Sequence, residues 1–316
     1  MEEIGGYIEL EQATGREYYS DLIAVNSGRN ALLYILKAKK IKKLYIPYYL
    51  CDSIWIVCED NHIEYEFYHI DRDFLPSLKE SLSENEYIYI VNYFGMLSKE
   101  VQRNLKELYK NIIWDNCQAF FNEPEPHIDT VYTCRKYFGV PDGGYVYTDC
   151  LLDEELKQDE SRDRMLHLLG RYEAKGSKYY NEYRRHEEQF IGLPLKSMSR
   201  ITHNILSYVD YEMVKSKREE NFSYLHEKLS GINGFALERM VAPFAYPLYV
   251  PNGVELKRKL IEKDIYIPTL WPEVKKCGNE IECDYVDNIL PLPCDQRYGI
   301  EDMIKICKCI FEEQYD

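Results

Sequence analysis

The feature that most limits the fold is an alternation. From about residue 44 to residue 147 of a 316-residue chain, short apolar runs take turns with amphipathic segments. Leu44-Tyr45-Ile46-Pro47 reads as a strand closed by proline, and Ile63 to Tyr68 as another. Tyr87-Ile88-Tyr89-Ile90-Val91 carries the strongest strand pattern. Tyr48 to Cys58 reads as a loop and helix, and Phe74 to Leu82 as a short helix or turn. Ser98 to Tyr109 reads as a helix capped by Ser98, with Val101, Leu105 and Leu108 on its apolar face. Ile112-Ile113-Trp114, Thr130 to Thr133 and Gly144 to Thr148 continue the strand series. Parallel strands need long crossovers and helices supply them, so the alternation predicts an α/β fold with a mostly parallel sheet. Ligands of such sheets lie beyond the carboxyl ends of the strands, where Pro47, Asn92, Asp115 and Thr133 stand.

Two of these positions define a chemistry. Ile112-Ile113-Trp114 ends on a carboxylate, Asp115. The next strand leads to Arg135-Lys136, followed by a Gly143-Gly144 turn. A lysine and an acid brought to one gap suit pyridoxal phosphate, with Lys136 joined covalently to its aldehyde and Asp115 against its pyridine nitrogen. An ionised carboxylate keeps that nitrogen protonated, which lets the ring absorb the electrons freed when a proton leaves the substrate. Once displaced, the lysine amine carries the proton. Upstream, Asn26-Ser27-Gly28-Arg29-Asn30 precedes A-L-L-Y-I-L, which has helical spacing, with Asn26 or Ser27 as its cap. A helix opening on Ser-Gly presents free N–H groups and a partial positive charge, and so suits a phosphate.

The remaining composition bounds the alternatives. A net charge of -15 argues against a nucleic-acid surface, though a local pocket on an acidic protein can still hold a phosphate. No apolar run has the length of a membrane span, and M-E-E-I-G-G lacks the pattern of a secretory signal, so a cytoplasmic location is expected. None of the ten cysteines forms a C-x-x-C pair, and reduced, mostly buried thiols are expected. A zinc site from Cys277, Cys283, Cys307 and Cys309 is the alternative, without the tight spacing such sites show. No G-x-G-x-x-G follows a strand, and neither a P-loop nor H-E-x-x-H is present.

Residues 1 to 22 read as a polar entry segment that packs on the body and reaches toward a partner subunit. Residues 151 to 190 read as charged helices with a solvated face. Ser197 to Arg200 opens a helix running to about Leu229, and Gly231 and Gly234 mark a boundary. The expected domains are therefore 1–230, holding the site, and 231–316, a small α+β unit. That unit is read as a strand at Ala245 to Val250, a helix at Val254 to Lys263, strands at Ile265 to Ile267 and Ile289 to Leu292, and a closing helix at Ile300 to Phe311.

The order Ser27-Gly28-Arg29-Asn30-Ala31-Leu32, Ile46-Pro47, Trp114-Asp115-Asn116-Cys117-Gln118-Ala119, Thr133-Cys134-Arg135-Lys136 and Asp142-Gly143-Gly144 resembles the fold type I pyridoxal-phosphate enzymes. Within them it is most similar to the DegT/DnrJ/EryC1/StrS sugar aminotransferases. The resemblance spans almost the whole chain, Ile289-Leu290-Pro291-Leu292-Pro293 included. It implies that Lys136 bonds the cofactor, Asp115 pairs with the ring nitrogen, and Gln118 approaches the phenolic oxygen. Ser27, Gly28, Arg29 and Thr133 would take the phosphate. It further implies a homodimer with interface sites, where Ser197 or Ser199 reaches the neighbour's phosphate, and a place in polysaccharide biosynthesis. Cys51 stands where the family usually stacks an aromatic ring, with Tyr48 or Tyr49 as substitutes, and Asn92 where many members carry histidine. On the substrate side Arg297 would grip the carboxylate of an amino donor, with glutamate the expected one, and Tyr93 would adjoin it. The implied reaction moves an amino group to a keto-sugar or nucleotide-linked keto-sugar. The alternatives are an eliminating enzyme of the same fold and a non-catalytic cofactor-binding relative. Lys136 disfavours the dehydratase branch, where histidine replaces it.

Overall fold

A computed structural model describes residues 4–78 and 82–315. Seven strands form one sheet: β1 (Ile23–Val25), β2 (Lys43–Pro47), β3 (Glu64–Tyr68), β4 (Glu86–Val91), β5 (Ile112–Asp115), β6 (Asp129–Thr133) and β7 (Gly144–Tyr147). Their order is β1-β7-β6-β5-β4-β2-β3. β2 through β6 pair in parallel, while β7 runs antiparallel to both β6 and β1. The crossovers are α1 (Gly28–Ala38), α2 (Ser53–Asp60) and α3 (Lys99–Tyr109). A parallel sheet is covered on both faces, which is why β5 and β6 are buried at every residue. Ile35, Leu44, Ile46, Ile88, Ile112, Ile113 and Val131 are wholly buried at its centre.

The α3 cap is as expected, with the Val101 N–H donating to Ser98 Oγ at 3.2 Å. The buried face is different. Gln102, Leu105 and Tyr109 face the sheet, whereas Leu108 is 67% exposed. In the 70–78 stretch, Ile70 bridges Pro76 as a turn that buries Phe74; the end of the expected 74–82 element lies outside the described residues.

Beyond the sheet come α4 (Leu166–Glu173), α5 (Tyr180–Glu188), α6 (Arg200–Ser207) and α7 (Tyr211–Leu229). The single helix expected to run to Leu229 is thus two. Asp210 restarts it, its carboxylate accepting the Met213 N–H at 3.0 Å, because a short acid favours the cap over the interior. The 151–190 stretch also departs from a solvated face: Asp159, Ser161, Arg164 and His186 are buried in hydrogen-bonded networks. Their burial is possible because each charge meets an opposite charge or a carbonyl.

A second core lies toward the C-terminus, built on the antiparallel pair β8 (Tyr246–Tyr249) and β9 (Ile289–Leu292), with α8 (Gly253–Glu262), α9 (Glu280–Asn288) and α10 (Ile300–Tyr315). It takes in residues on both sides of position 230, because α7 lays Phe222, Leu225 and Leu229 on it beside Leu248, Leu260, Leu290 and Ile310. Ile265 to Ile267 forms no strand. Both isoleucines are buried in this core, but Asp264 turns the chain at a left-handed φ of 62° and Pro268 lacks an N–H for a ladder. Cys307 and Cys309 are buried on α10, and all ten cysteines are free thiols.

Candidate active site

The topology alone gathers the sequence's candidates at one edge. Parallel β2, β4, β5 and β6 end at Pro47, Val91, Asp115 and Thr133. Antiparallel β7 begins at that same edge, Gly144 opposite Thr133 and Val25. The segments 25–29, 47–51, 91–95, 115–118, 133–136 and 143–144 therefore share one rim.

At the β5 end, Asp115 is buried, and its Oδ1 accepts the Cys117 N–H at 2.7 Å, which pins the turn through Gln118. Lys136 sits in a tight turn: Cys134 N–H donates to Gly143 O, and Cys134 O accepts from both Tyr137 and Phe138. The lysine is exposed, with its amine 5.8 Å from the centre of the Phe244 ring. Two thiols register both charges. Burial pushes the Cys51 thiol up; the charge of Lys136 and a 2.8 Å contact with Ser53 oppose this, Asp115 adds to it, and Arg29 also opposes it. Burial and then Asp115 push the Cys117 thiol well up, with Lys136 opposing. Asp115, Lys136, Arg29, Cys51 and Cys117 thus lie within electrostatic reach of one another at this rim of the sheet.

The phosphate-like end is built from α1. Ser27 caps it: Ser27 Oγ accepts the Asn30 N–H at 3.1 Å and Ser27 O the Ala31 N–H at 2.9 Å. The first N–H groups of a helix have no intrahelical partner, so those of Gly28 and Arg29 are left to face outward, and the Ser27 hydroxyl keeps its proton to donate. A Cβ at residue 28 would lie 3.2 Å from Thr133 Cβ and 3.4 Å from Cys117 Sγ, so glycine is what allows this helix start to approach the β6 end. Gly143, at φ +112°, makes the turn behind the lysine.

Gln118 supplies an unfilled valence. Its Oε1 accepts the Phe94 N–H at 2.8 Å, but its buried Nε2 has no partner. A buried amide donor without an acceptor is costly, and its place in the Asp115–Gln118 turn makes it a donor available to a ligand at this gap.

Other candidates fall elsewhere. Asn92 is fully engaged in the scaffold: its Nδ2 donates to Asn116 Oδ1 at 3.0 Å, and its Oδ1 accepts the Leu97 N–H at 3.0 Å. Tyr93 lies in the core, its hydroxyl donating to Tyr49 O at 2.7 Å. Tyr49 packs edge-on against Trp271 at 4.9 Å, and Tyr48 stacks on Phe67 and His69, so Cys51 alone of this turn lies at the gap. Ser199 caps α6 and binds Asp142 of its own chain at 2.8 Å, while Ser197 bridges Val25 and Gln158 through its backbone. Both are engaged within one chain. Arg297 forms a two-point pair with Asp295, at 2.7 and 2.8 Å, which, against the upward push of burial, holds that carboxyl below the usual range.

Sequence reading missed a buried link to Tyr137, the residue after the lysine. Arg218 is buried on α7, 4.3 Å over the Tyr137 ring, and donates to Pro243 O at 2.8 Å and Gln296 Oε1 at 2.8 Å. Gln296 Nε2 in turn donates to Tyr137 O at 2.7 Å, which ties the second core to the residue after the lysine. An arginine inside a polar-rich helix gives no local signal of this.

No protein-family model and no curated protein matches the chain. Solved structures do. A DegT/DnrJ/EryC1/StrS aminotransferase from Brucella abortus superposes with a TM-score of 0.60 at 17% identity, covering 92% of this chain and 85% of that one. The sugar aminotransferase CalS13 from Micromonospora echinospora gives 0.62 at 16%, over 92% and 86%. NtdA from Bacillus subtilis, solved with the cofactor PMP bound, gives 0.66 at 14%, over 92% and 72%. The chain has their fold. Likeness at this identity concerns the backbone, and the chemistry rests on the residues above. Among the described residues, no helix is long and apolar enough to cross a membrane.

Proposed function

We propose that the protein is a pyridoxal-phosphate-dependent aminotransferase that moves an amino group from an amino acid, glutamate in the first instance, to a keto-sugar or nucleotide-linked keto-sugar. One observation carries the reading: Asp115, Lys136 and the start of α1 follow three separate strand ends yet share one rim of the sheet, within electrostatic reach of the same two thiols. The residues fit the cofactor. Glycine at residue 28 keeps the cradle open, and Gln118 Nε2 awaits an acceptor. CalS13, a sugar aminotransferase, and NtdA, solved with PMP, share this fold and support the same class.

When bound, pyridoxal phosphate supplies an electron sink beside the amine carbon of the substrate. Asp115 would hold the ring nitrogen charged, with the Cys117 N–H keeping its other lone pairs oriented. Gly28 and Arg29 N–H groups, the Ser27 hydroxyl and Thr133 would bind the phosphate. Lys136, free of any ion pair among the described residues, would bond the aldehyde and then move protons at the substrate carbon through its Nζ. Cys51 would meet the ring face with a polarisable thiol in place of an aromatic ring.

The division into a cofactor-binding unit 1–230 and a C-terminal unit 231–316, a cytoplasmic location and a role in polysaccharide biosynthesis belong to this reading. So does a homodimer. Exposed Leu166, Leu169, Tyr172 and Ile191 on and beside α4 and α5 are the surface that supports it, and sedimentation would report its mass. The central test is spectroscopic. Added pyridoxal phosphate should give a visible band linked to Lys136, bleached by glutamate, and amino transfer to a keto-sugar should follow. A protein that gains no such band refutes the reading.

A further inference from the structure

A buried charged network lies behind the phosphate cradle, outside the gap itself. Asp159 is its hub. Its Oδ2 accepts from Arg164 Nη2 at 2.7 Å and Asn26 Nδ2 at 3.1 Å, and its Oδ1 from Lys196 Nζ at 3.1 Å and the Glu160 N–H at 2.9 Å. Asn26, wholly buried, passes this order on. Its Oδ1 accepts from Asn30 Nδ2 at 2.7 Å, its N–H donates to Lys196 O, and its carbonyl accepts the Gly143 N–H at 3.1 Å. Asn26, held by Asp159, therefore ties the first turn of α1 through its side chain and the glycine turn behind the lysine through its carbonyl.

We propose that Asp159 is a positioning residue for the phosphate cradle, acting through Asn26 to set the direction of the Gly28 and Arg29 N–H groups. The proposal rests on the cofactor reading above and extends it to a residue that touches no ligand. Two acids and two bases meet here: Asp142 lies 3.8 Å from Arg164, and Arg164 and Lys196 share Asp159. Removing the Asp159 charge leaves two cations against one anion. Charge alone would then draw a phosphate in more strongly. Loss of alignment would weaken it. The two accounts differ in sign.

The test compares pyridoxal phosphate with pyridoxal, which has the aldehyde and ring but no phosphate, binding each to full-length native protein and to Asp159→Ala by absorbance titration at fixed salt. Native protein should favour the phosphorylated aldehyde. Asp159→Ala should lose about tenfold of that preference, with pyridoxal binding unchanged, as expected for misaligned hydrogen bonds. Asp159→Asn, which keeps one acceptor, should recover part of it. Unchanged or tighter phosphate binding in Asp159→Ala, or in the near-isosteric Asp159→Asn where the former does not fold, overturns the proposal. So does equal weakening toward both aldehydes. Native protein that takes up neither compound instead overturns the cofactor reading, and this proposal with it.

Discussion

The turns after β2 and β4 each send neighbouring residues to opposite fates. After β2, Tyr49 enters an aromatic cluster and Cys51 faces the gap. After β4, Tyr93 and Phe94 enter the core while Asn92 ties strand ends together. The cluster is made of rings in mutual contact, Tyr49, Phe74, Tyr93, Trp271, Phe235 and Tyr285, joining the sheet to the C-terminal core. The proposed site holds groups with something left over: an exposed amine, an unpartnered amide donor and the two first N–H groups of α1. Packing regions satisfy their contacts within the chain, whereas a site must leave some unmade, and it holds its shape because the regions around it are fully packed.

The sharpest break of this comparison is Lys136→Ala. It should abolish the lysine-linked band and all amino transfer while leaving the melting transition in place. Asp115→Asn should follow, with turnover falling about 10³-fold, the scale of losing one preorganised charge, and with the phosphorylated aldehyde still retained. Trp271→Ala attacks the other region. It should cost about 3 kcal/mol in urea unfolding and leave the absorbance per folded molecule unchanged. Tyr93→Phe is smaller. Losing the bond to Tyr49 O should cost about 1 kcal/mol with unaltered KM for donor and acceptor; a raised KM would return Tyr93 to the substrate side.

The smallest effect is in pH. His167 lies against His186 with ring centres 4.2 Å apart, and burial, then the charges of His186 and Arg135, lower its pKa to about 4. The unfolded chain therefore binds more protons than the folded one between about pH 6.5 and 4, so stability from this group falls as pH drops through that window. His203, raised by its bond to Glu17, acts in reverse: its contribution is full below the unfolded value and is lost as pH rises through the folded one. His167→Gln should flatten the acid-side slope of urea midpoints against pH. An unchanged slope would assign that loss to other groups.

Much of this was legible along the chain. β4, β5 and β6 announce themselves as apolar runs, and the Ser27, Ser98 and Gly143 signals fall where caps and a turn are found, because such features depend on neighbours in sequence. Residues 151 to 190 show the opposite. Asp159 and Arg164 look like any solvated acid and base, and only burial beside Asn26 and Lys196 gives them a different role. Leu108 and Ile265 fail in the same way, since hydrophobicity does not say which apolar residue finds a partner. Arg297 was assigned a ligand, but Asp295, two residues away, already occupies it.

The sequence by itself determined the alternating strands and helices, the acid and lysine at two strand ends, and the glycine that lets a helix start come close. All three are local: a period, a residue type and a missing Cβ. Tertiary structure decided which of those residues meet. The strand order, with β7 reversed between β1 and β6, brings residues 28, 115 and 136 to one rim, and pairing across long separations is not encoded in any single window of the chain.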